Sequence, residues 1–391
     1  MIHVAQILRT IPSFYPHVTG PANQAWHVAR RLGVNSFANT IITTDEHAAD
    51  APRQEQRDGL RIERLRRSRV GALAYRGVYG ARRRLTTAPA SIIHAHSYRN
   101  ALTTLAHRAA KQRGLPYVFQ PHGQLLMYQY LLGPLGRCPY RGYDALTRKR
   151  EVLDADAVVV ATSQEYREAL AFGVPADRMH IIPMGVNERT EPPVPRGGNP
   201  TLRLLFVGRI EPGRNPLQLV RAVAQLPWSM QRQVELRFVG PIAARSQLHR
   251  EKGHLQTLRH EMHQRGVAAR CRLLGALYGE QLEAQYAEAD VFVFPSRYEN
   301  FGQTILEAGN AGLPVLATAT GVADDLICDG ETGHVIRYDD TAELTRCLMR
   351  LVEDREAVAR MGRAMFDRVQ AHYRWDHVIE RYRSLYTQLL Q

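Results

Sequence analysis

Residues Phe294–Ala308 read FPSRYENFGQTILEA. An apolar run, Asp290–Phe294, leads straight into this segment, and an apolar-striped helix follows it. Two carboxylates, Glu299 and Glu307, bracket an Asn300-Phe301-Gly302 turn with seven residues between them. A strand–turn–helix junction leaves unsatisfied backbone N–H groups at the helix start, and these suit an anion. Acidic side chains at the same junction cannot serve that anion. They suit hydroxyls or a positively polarised group beside it. Phosphate and hydroxyls in one place are what a sugar nucleotide presents.

Working outward, short apolar runs alternate with helical patterns along the whole chain. In the first half the runs are Ile2–Leu8, Thr40–Thr44, Ser91–His94, Tyr117–Gln120, Ala157–Ala161 and His180–Ile182. In the second half they are Leu202–Val207, Glu235–Val239, Asp290–Phe294, Pro314–Ala317 and His334–Ile336. Such alternation predicts doubly wound parallel sheets of the α/β class. A length of 391 residues exceeds what one core usually holds, so two domains are expected. Proline and glycine crowd Asn187–Pro200, NERTEPPVPRGGNP, which reads as the linker. The predicted division is 1–186, linker 187–200, and 201–374. The last helix, from Trp375 to Leu390, carries apolar residues at Val378, Ile379, Tyr382, Leu385, Tyr386 and Leu389.

Composition narrows the class. At 45% hydrophobic and 23% charged the chain has an ordinary globular balance. No run approaches a membrane span, and the N-terminus reads as a first strand instead of a signal peptide. Cys138, Cys271, Cys328 and Cys347 show no paired spacing, which suits a reducing cytoplasm. Net charge is +13. Residues 1–195 hold 26 Lys+Arg against 15 Asp+Glu, and the rest 25 against 23, so the first half carries most of the excess. A basic half suits anionic lipid or a phosphorylated acceptor. Nucleic acid is not expected, because no stacking-rich or zinc motif accompanies the charge.

Three loops add candidate residues. Leu204–Val207 runs into GRIEPGRNPLQLV, which sets Arg209 and Arg214 past a strand end and before a helix at Pro216–Ala224. Two guanidiniums there can clamp a diphosphate, although a solvated turn with two surface arginines reads the same way. Pro16–Gly20, PHVTG, joins the first strand to a helix at Ala22–Leu32, and Gly20 permits close approach to a ligand. Gln120–Leu125, QPHGQL, exposes His122 at a strand terminus. His94 and His96 share a strand face, but no third ligand is evident, and no Asp-Xaa-Asp follows an apolar strand. Neither a metal nor a cofactor is expected. From Arg57 to Leu85 there are ten arginines, and Val70, Leu73, Ala74, Val78, Ala81 and Leu85 give a helical stripe. A basic helix over this region, against an acidic membrane surface or simply in water, is the expectation.

Taken together, PHVTG, IIHAHS, PHGQL, IIPMGV, FVGRIEPGRNPLQLV, FPSRYENFGQTILEA and GVADDLICDGETGHVI cover essentially the whole chain. In these motifs it resembles the family-4 retaining glycosyltransferases of the GT-B fold. The resemblance implies two Rossmann-like domains facing across a cleft. The first would bind the acceptor and the second the nucleotide-sugar donor, with the helix at 375–391 returning to the first. It implies that Arg209 and Arg214 face the diphosphate and Glu307 the ribose, with Glu299 beside the transferred sugar. Backbone amides around Phe301 and Gly302 would support sugar and phosphate, with Asn300 also on the donor side. His122 would line the acceptor side, and Gly20 would let its loop approach the phosphate. Catalytic work would fall to His122, Glu299, Arg209 and Arg214, with no metal. Two departures stand out: Arg214 replaces the family's usual lysine, and Thr19-Gly20 replaces a pair of glycines.

The expected activity is metal-independent, retaining transfer of a hexose to a glycan or lipid-linked glycan. The expected setting is bacterial surface-polysaccharide synthesis in the cytoplasm, with a peripheral seat on the inner membrane face as an option. A sugar-nucleotide epimerase or hydrolase on a similar scaffold, and a non-catalytic basic lipid- or nucleic-acid-binding protein, stay open as alternatives.

Overall fold

A computed structural model describes residues 4–17, 19–33, 37–48, 50–68, 77–191, 201–241 and 253–391. The chain divides into two compact units: Met1–Met184 with Asp376–Gln391, and Gly185–Trp375.

The first unit carries β1 (Ala5–Thr10), β2 (Phe37–Thr44), β3 (Gln54–Arg57), β4 (Leu60–Leu65), β5 (Ile92–His96), β6 (Tyr117–Gln120), β7 (Ala157–Val160) and β8 (Met179–Ile181). They form one sheet in the order β3-β4-β2-β1-β5-β6-β7-β8, and every pairing but β3–β4 is parallel. All residues of β5, β6 and β7 are buried. That follows from helices on both faces, which is why β6 and β7 read as near-continuous apolar runs. One face packs Leu8, Ile93, Phe119 and Val158 against Leu102, Ala106 and Phe172. The other packs Ile41 and Ile62 with Phe14, Ala25 and Trp26. Burying a leucine or phenylalanine of this kind stabilises the fold by roughly 1.5–3 kcal/mol.

The second unit carries β9 (Leu202–Val207), β10 (Val234–Val239), β11 (Cys271–Gly275), β12 (Val291–Phe294), β13 (Val315–Ala317) and β14 (Gly333–Val335). They pair in the order β11-β10-β9-β12-β13-β14, all parallel. Gly240, just past β10, has φ +149, and a Cβ there would lie 1.9 Å from the Gly208 carbonyl. Only glycine lets the β10 exit lie that close to the loop after β9.

Trp375–Leu389 is the last helix, and from Asp376 onward the chain belongs to the first unit. Val378, Tyr382 and Tyr386 are completely buried. The Tyr382 hydroxyl donates to Gln120 Oε1 at 3.3 Å and accepts from Gln24 Nε2 at 3.5 Å.

One expectation is corrected. The arginine-rich stretch is not one basic helix. Arg61 and Arg64 lie in β4, Arg67 pairs with Val78 in an isolated bridge, and among the described residues the helix there is Ala81–Thr87. Glu63 and Arg64 are buried because each finds a charge partner, Arg84 and Glu55 respectively, so charged residues build an internal strand. Val70, Leu73 and Ala74 of the expected stripe lie outside the described residues. The strand β11 was not anticipated, because its sequence, CRLLG, is short and only partly buried. Of the predicted linker, residues 192–200 also lie outside the described residues, and Asn187–Glu191 belong to the second unit. No described helix is long and apolar enough to cross a membrane.

Candidate functional site

The second sheet reverses its strand order between β9 and β12, since β10 and β11 lie to one side of β9 and β12 to the other. In open parallel sheets ligands bind outside the carboxyl ends of the strands at such a reversal. The loops leaving β9 and β12 carry the arginines and the acidic junction. Arg297 N donates to Gly213 O at 2.8 Å and ties one loop to the other.

Four charged side chains meet there. Arg209 Nη2 lies 3.0 Å from Glu211 Oε1, and Arg214 Nε lies 3.6 Å from the same oxygen. The Arg214 guanidinium also forms an ion pair with the Glu299 carboxylate. It donates to Ser296 Oγ at 3.3 Å, and the Phe294 ring centre lies 5.5 Å from it. Glu299 is 7% exposed and Glu211 6%. Burial, and then the neighbouring Arg209 charge, push the Arg214 guanidinium down to about 10, so it stays a cation at neutral pH. The arginines and carboxylates hold one another. A pair costs less than two separate charges in a site this dry.

The helix Gln303–Asn310 starts from Gly302, at φ +90. The neighbouring Thr318–Val322 loop is fastened to the junction. Val322 N donates to Phe301 O at 2.6 Å, and Thr318 Oγ1 to Ser296 O at 2.5 Å. Gly321, at φ +58, lies where a Cβ would come 2.4 Å from Phe301 O and 2.9 Å from Glu299 Cβ. Glu307, one helical turn on, accepts from Tyr286 Oη at 3.0 Å and Gln303 Nε2 at 2.8 Å. Burial raises its carboxyl pKa. The buried Oδ1 of Asn300 has no partner among the described residues.

In the first unit β5 and β6 deliver three imidazoles to neighbouring positions. His94 and His96 stack at 4.3 Å between ring centres, and His96 and His122 at 5.2 Å. His122 follows β6 at φ +54 and is 7% exposed, so the expectation of an exposed histidine is corrected: the His96 ring covers it. Burial pushes His122 down to about 3, which keeps it neutral. The next residue, Gly123, donates its N–H to Glu165, a wholly buried carboxyl. Gly20 begins the helix Gly20–Leu32, and Thr19 Oγ1 caps it by accepting from Ala22 N at 3.2 Å. A Cβ on Gly20 would meet nothing within 4 Å among the described residues, so none of them requires glycine there.

The structure therefore brings Arg209, Arg214, Glu299 and Asn300–Gly302 together in the second unit. Glu307 stands a turn further along the same junction's helix. His122 and Gly20 belong to the first unit. Sequence reading missed Glu211, Ser296 and Tyr286. Glu211 lies inside the motif already singled out, three residues before Arg214, so its spacing was a usable signal. Among the described residues no group of three His, Cys, Asp or Glu side chains could hold a metal ion, and the four cysteines are free.

Two parallel sheets in separate units, with loops gathered at the strand carboxyl ends, define the GT-B architecture. Solved structures match this fold over nearly the whole chain. Sucrose-phosphate synthase from Thermosynechococcus elongatus aligns at TM-score 0.78 and 22% identity, covering 98% of this chain and 99% of that one. HepE from Anabaena, solved with UDP and glucose, aligns at TM-score 0.73 and 17% identity, covering 98% and 100%. Residues 191–368 match the family described as glycosyl transferases group 1, and residues 19–185 the glycosyl transferase 4-like domain. The chain belongs to the group 1, family-4-like glycosyltransferases. Among curated relatives, a D-inositol 3-phosphate glycosyltransferase of Streptomyces avermitilis is 30% identical over 77% of this chain and 66% of its own length. Another, from Nocardia farcinica, is 32% identical over 59% and 52%. The chain thus spans roughly half to two-thirds of the length of these relatives.

Proposed function

We propose that this protein transfers a hexose from a nucleotide sugar to a hydroxyl of a glycan or lipid-linked glycan, with retention and without a metal. The observation that carries the reading is the Arg209–Glu211–Arg214–Glu299 cluster at the β9/β12 reversal. A nucleoside diphosphate brings several negative charges and a forked set of oxygens. It competes with Glu211 and Glu299 for both guanidiniums. Charge-assisted contacts of this kind contribute about 1.5–3 kcal/mol each.

As the sugar leaves, negative charge grows on the β-phosphate. Arg209, Arg214 and the backbone amides at Phe301 and Gly302 are fixed donors that stabilise it. Glu299, displaced from Arg214, lies where positive character develops on the anomeric carbon. Glu307 takes ribose hydroxyls, its oxygens held by Tyr286 and Gln303. The buried Asn300 Oδ1 is an acceptor in need of a donor, and a sugar hydroxyl supplies one. His122 takes the acceptor side.

HepE has been solved with UDP-glucose, so UDP-hexoses are the first donors to try. The relatives named for inositol 3-phosphate favour a second acceptor class, a phosphorylated polyol, which the basic first half would suit. Bacterial surface-polysaccharide synthesis at the inner membrane face is the proposed setting.

The test is a panel of UDP-, GDP- and ADP-hexoses, screened for thermal stabilisation and then for turnover with each acceptor class. Turnover in excess chelator, with the anomeric configuration kept, supports the reading. Inactivation by EDTA reversed by a divalent ion overturns metal independence. Epimerisation or nucleotide release without acceptor, faster than transfer, overturns transfer as the main activity.

A further inference from the structure

Arg9 is a fully buried arginine near the carboxyl end of β1. Among the described residues no carboxylate lies within ion-pair distance of it. Its partners are neutral instead. Nε donates to Asn39 Oδ1 at 2.9 Å, and Nη2 to the Tyr386 hydroxyl at 2.8 Å. Nη1 faces His94 Nδ1 at 2.9 Å and His96 Nε2 at 3.4 Å. The Asn39 amide nitrogen donates to Ala29 O and Phe37 O, which turns its oxygen to Arg9. Tyr386 comes from the last helix, and its oxygen lies 2.7 Å from His94 Nδ1.

A guanidinium has five N–H groups and no acceptor. Any ring nitrogen that bonds to it must therefore present a lone pair. His96 Nε2 faces Arg9, so a neutral His96 carries its proton on Nδ1. That nitrogen lies 2.9 Å from His122 Nε2. It donates, and His122 Nε2 accepts. The remaining His122 proton then sits on Nδ1, to which nothing among the described residues bonds. The direction of each bond is dictated by the one before it, starting from a group that can only donate.

We infer that Arg9 is a positioning residue: through His96 it fixes the tautomer of His122, so that His122 presents an Nδ1–H donor and cannot act as a base. Burial lowers the pKa of all three imidazoles, consistent with neutral rings in the chain. The same arrangement engages the lone pairs of His94 and His96, so this pair is not a metal clip. Tyr386 makes the last helix part of the device, because it holds the second Arg9 nitrogen. If His122 serves transfer as proposed above, its contribution is a hydrogen bond given to an oxygen of acceptor or sugar.

The experiment reads the tautomer directly, on full-length protein labelled with ¹⁵N histidine. Long-range proton–nitrogen correlations distinguish the bare ring nitrogen from the protonated one, and His122→Gln assigns the signals. The expected result for the wild type is a bare Nε2 and a protonated Nδ1 on His122. A wild-type His122 protonated on Nε2 overturns the inference, whatever becomes of any variant. Arg9→Met is expected to move the bare nitrogen of His122 wholly or partly to Nδ1 and to lower kcat severalfold. A folded Arg9→Met protein with the wild-type tautomer also overturns it. Full activity of His122→Ala with the wild-type tautomer as stated would sink the transfer role of His122 alone and leave the Arg9 chain standing.

Discussion

Arg214 and Arg9 are both held inside their units, yet different partners hold them. Arg214 is matched by Glu211 and Glu299, so its region has two cations and two anions. Arg9 is matched by an amide oxygen, a phenol and two imidazoles. A guanidinium paired with carboxylates can exchange them for another anion. A guanidinium among neutral acceptors has nothing to exchange, and it instead orients what it touches. The first arrangement suits binding and release, and the second suits a permanent scaffold. The lesson is that a buried arginine is read from its acceptors, not from its own charge.

The largest effect expected is from Arg214→Ala. It strands Glu299, which is almost wholly buried, and removing one member of a buried pair costs about 3–5 kcal/mol. Urea unfolding should show that loss. Saturating nucleoside diphosphate should not restore it, since the diphosphate has lost its guanidinium too. A variant as stable as the wild type would mean that the pair is not the structural unit described. Arg214→Lys should recover part of the stability and less of the turnover, because an ammonium cannot fork.

Next is Glu165, which ties the His122 loop to the helix Ser163–Phe172. Its carboxyl accepts from Ala161 N at 2.6 Å and from Gly123 N. Burial raises it to about 7 against the opposing pull of those two donors. A folded-state value above the unfolded one means stability that is present at low pH and lost as pH rises. The loss runs from the unfolded value, near 4.5, up to about 7 and amounts to about 3 kcal/mol. Glu165→Gln removes that slope. Unfolding free energies of both proteins at pH 5 and pH 8 check it: their difference should move toward Gln at pH 8. An identical difference at both pH values would show that the carboxyl does not titrate there.

Much of this was legible beforehand, for a physical reason. Strands such as β6 and β12 are buried on both faces, so their sequences, YVFQ and VFVF, are apolar at nearly every position. The acidic junction was legible because it sits at the end of such a strand. The β3–β4 hairpin was not, because Glu63 and Arg64 are buried through ion pairs and look like surface residues in sequence. Arg9 was missed differently. Its register neighbour on β5 is His94, and another of its partners, Tyr386, is 377 positions away. No local pattern connects them, although a lone arginine in an apolar strand was itself a signal.

Arg209→Ala should cost activity with little cost in stability. Its side chain is half-exposed, and Glu211 keeps Arg214 as a partner when Arg209 is gone. One lost charged contact to the diphosphate predicts at least a tenfold fall in kcat/KM for donor. An unchanged kcat/KM would remove Arg209 from the clamp. Equal losses of stability at positions 209 and 214 would erase the distinction between an exchangeable pair and a scaffold within the cluster itself.

The smallest effect concerns arginines with no acidic partner. On the helix Ala81–Thr87, Arg84 is taken by Glu63 with bonds of 2.5 and 2.7 Å. Arg82 and Arg83 are exposed, and no carboxylate among the described residues pairs with them. On this helix these two are the arginines placed to meet an anionic surface. Each cation near such a surface adds about 1 kcal/mol, so the double change to alanine should weaken binding to phosphatidylserine vesicles by roughly tenfold or more at low salt. The effect should shrink toward physiological salt, where the screening length is about 8 Å. Arg84→Ala should act on stability instead, since it uncovers the buried Glu63. If Arg84→Ala weakens vesicle binding as much as the pair does, partner identity does not decide what an arginine of this unit is for.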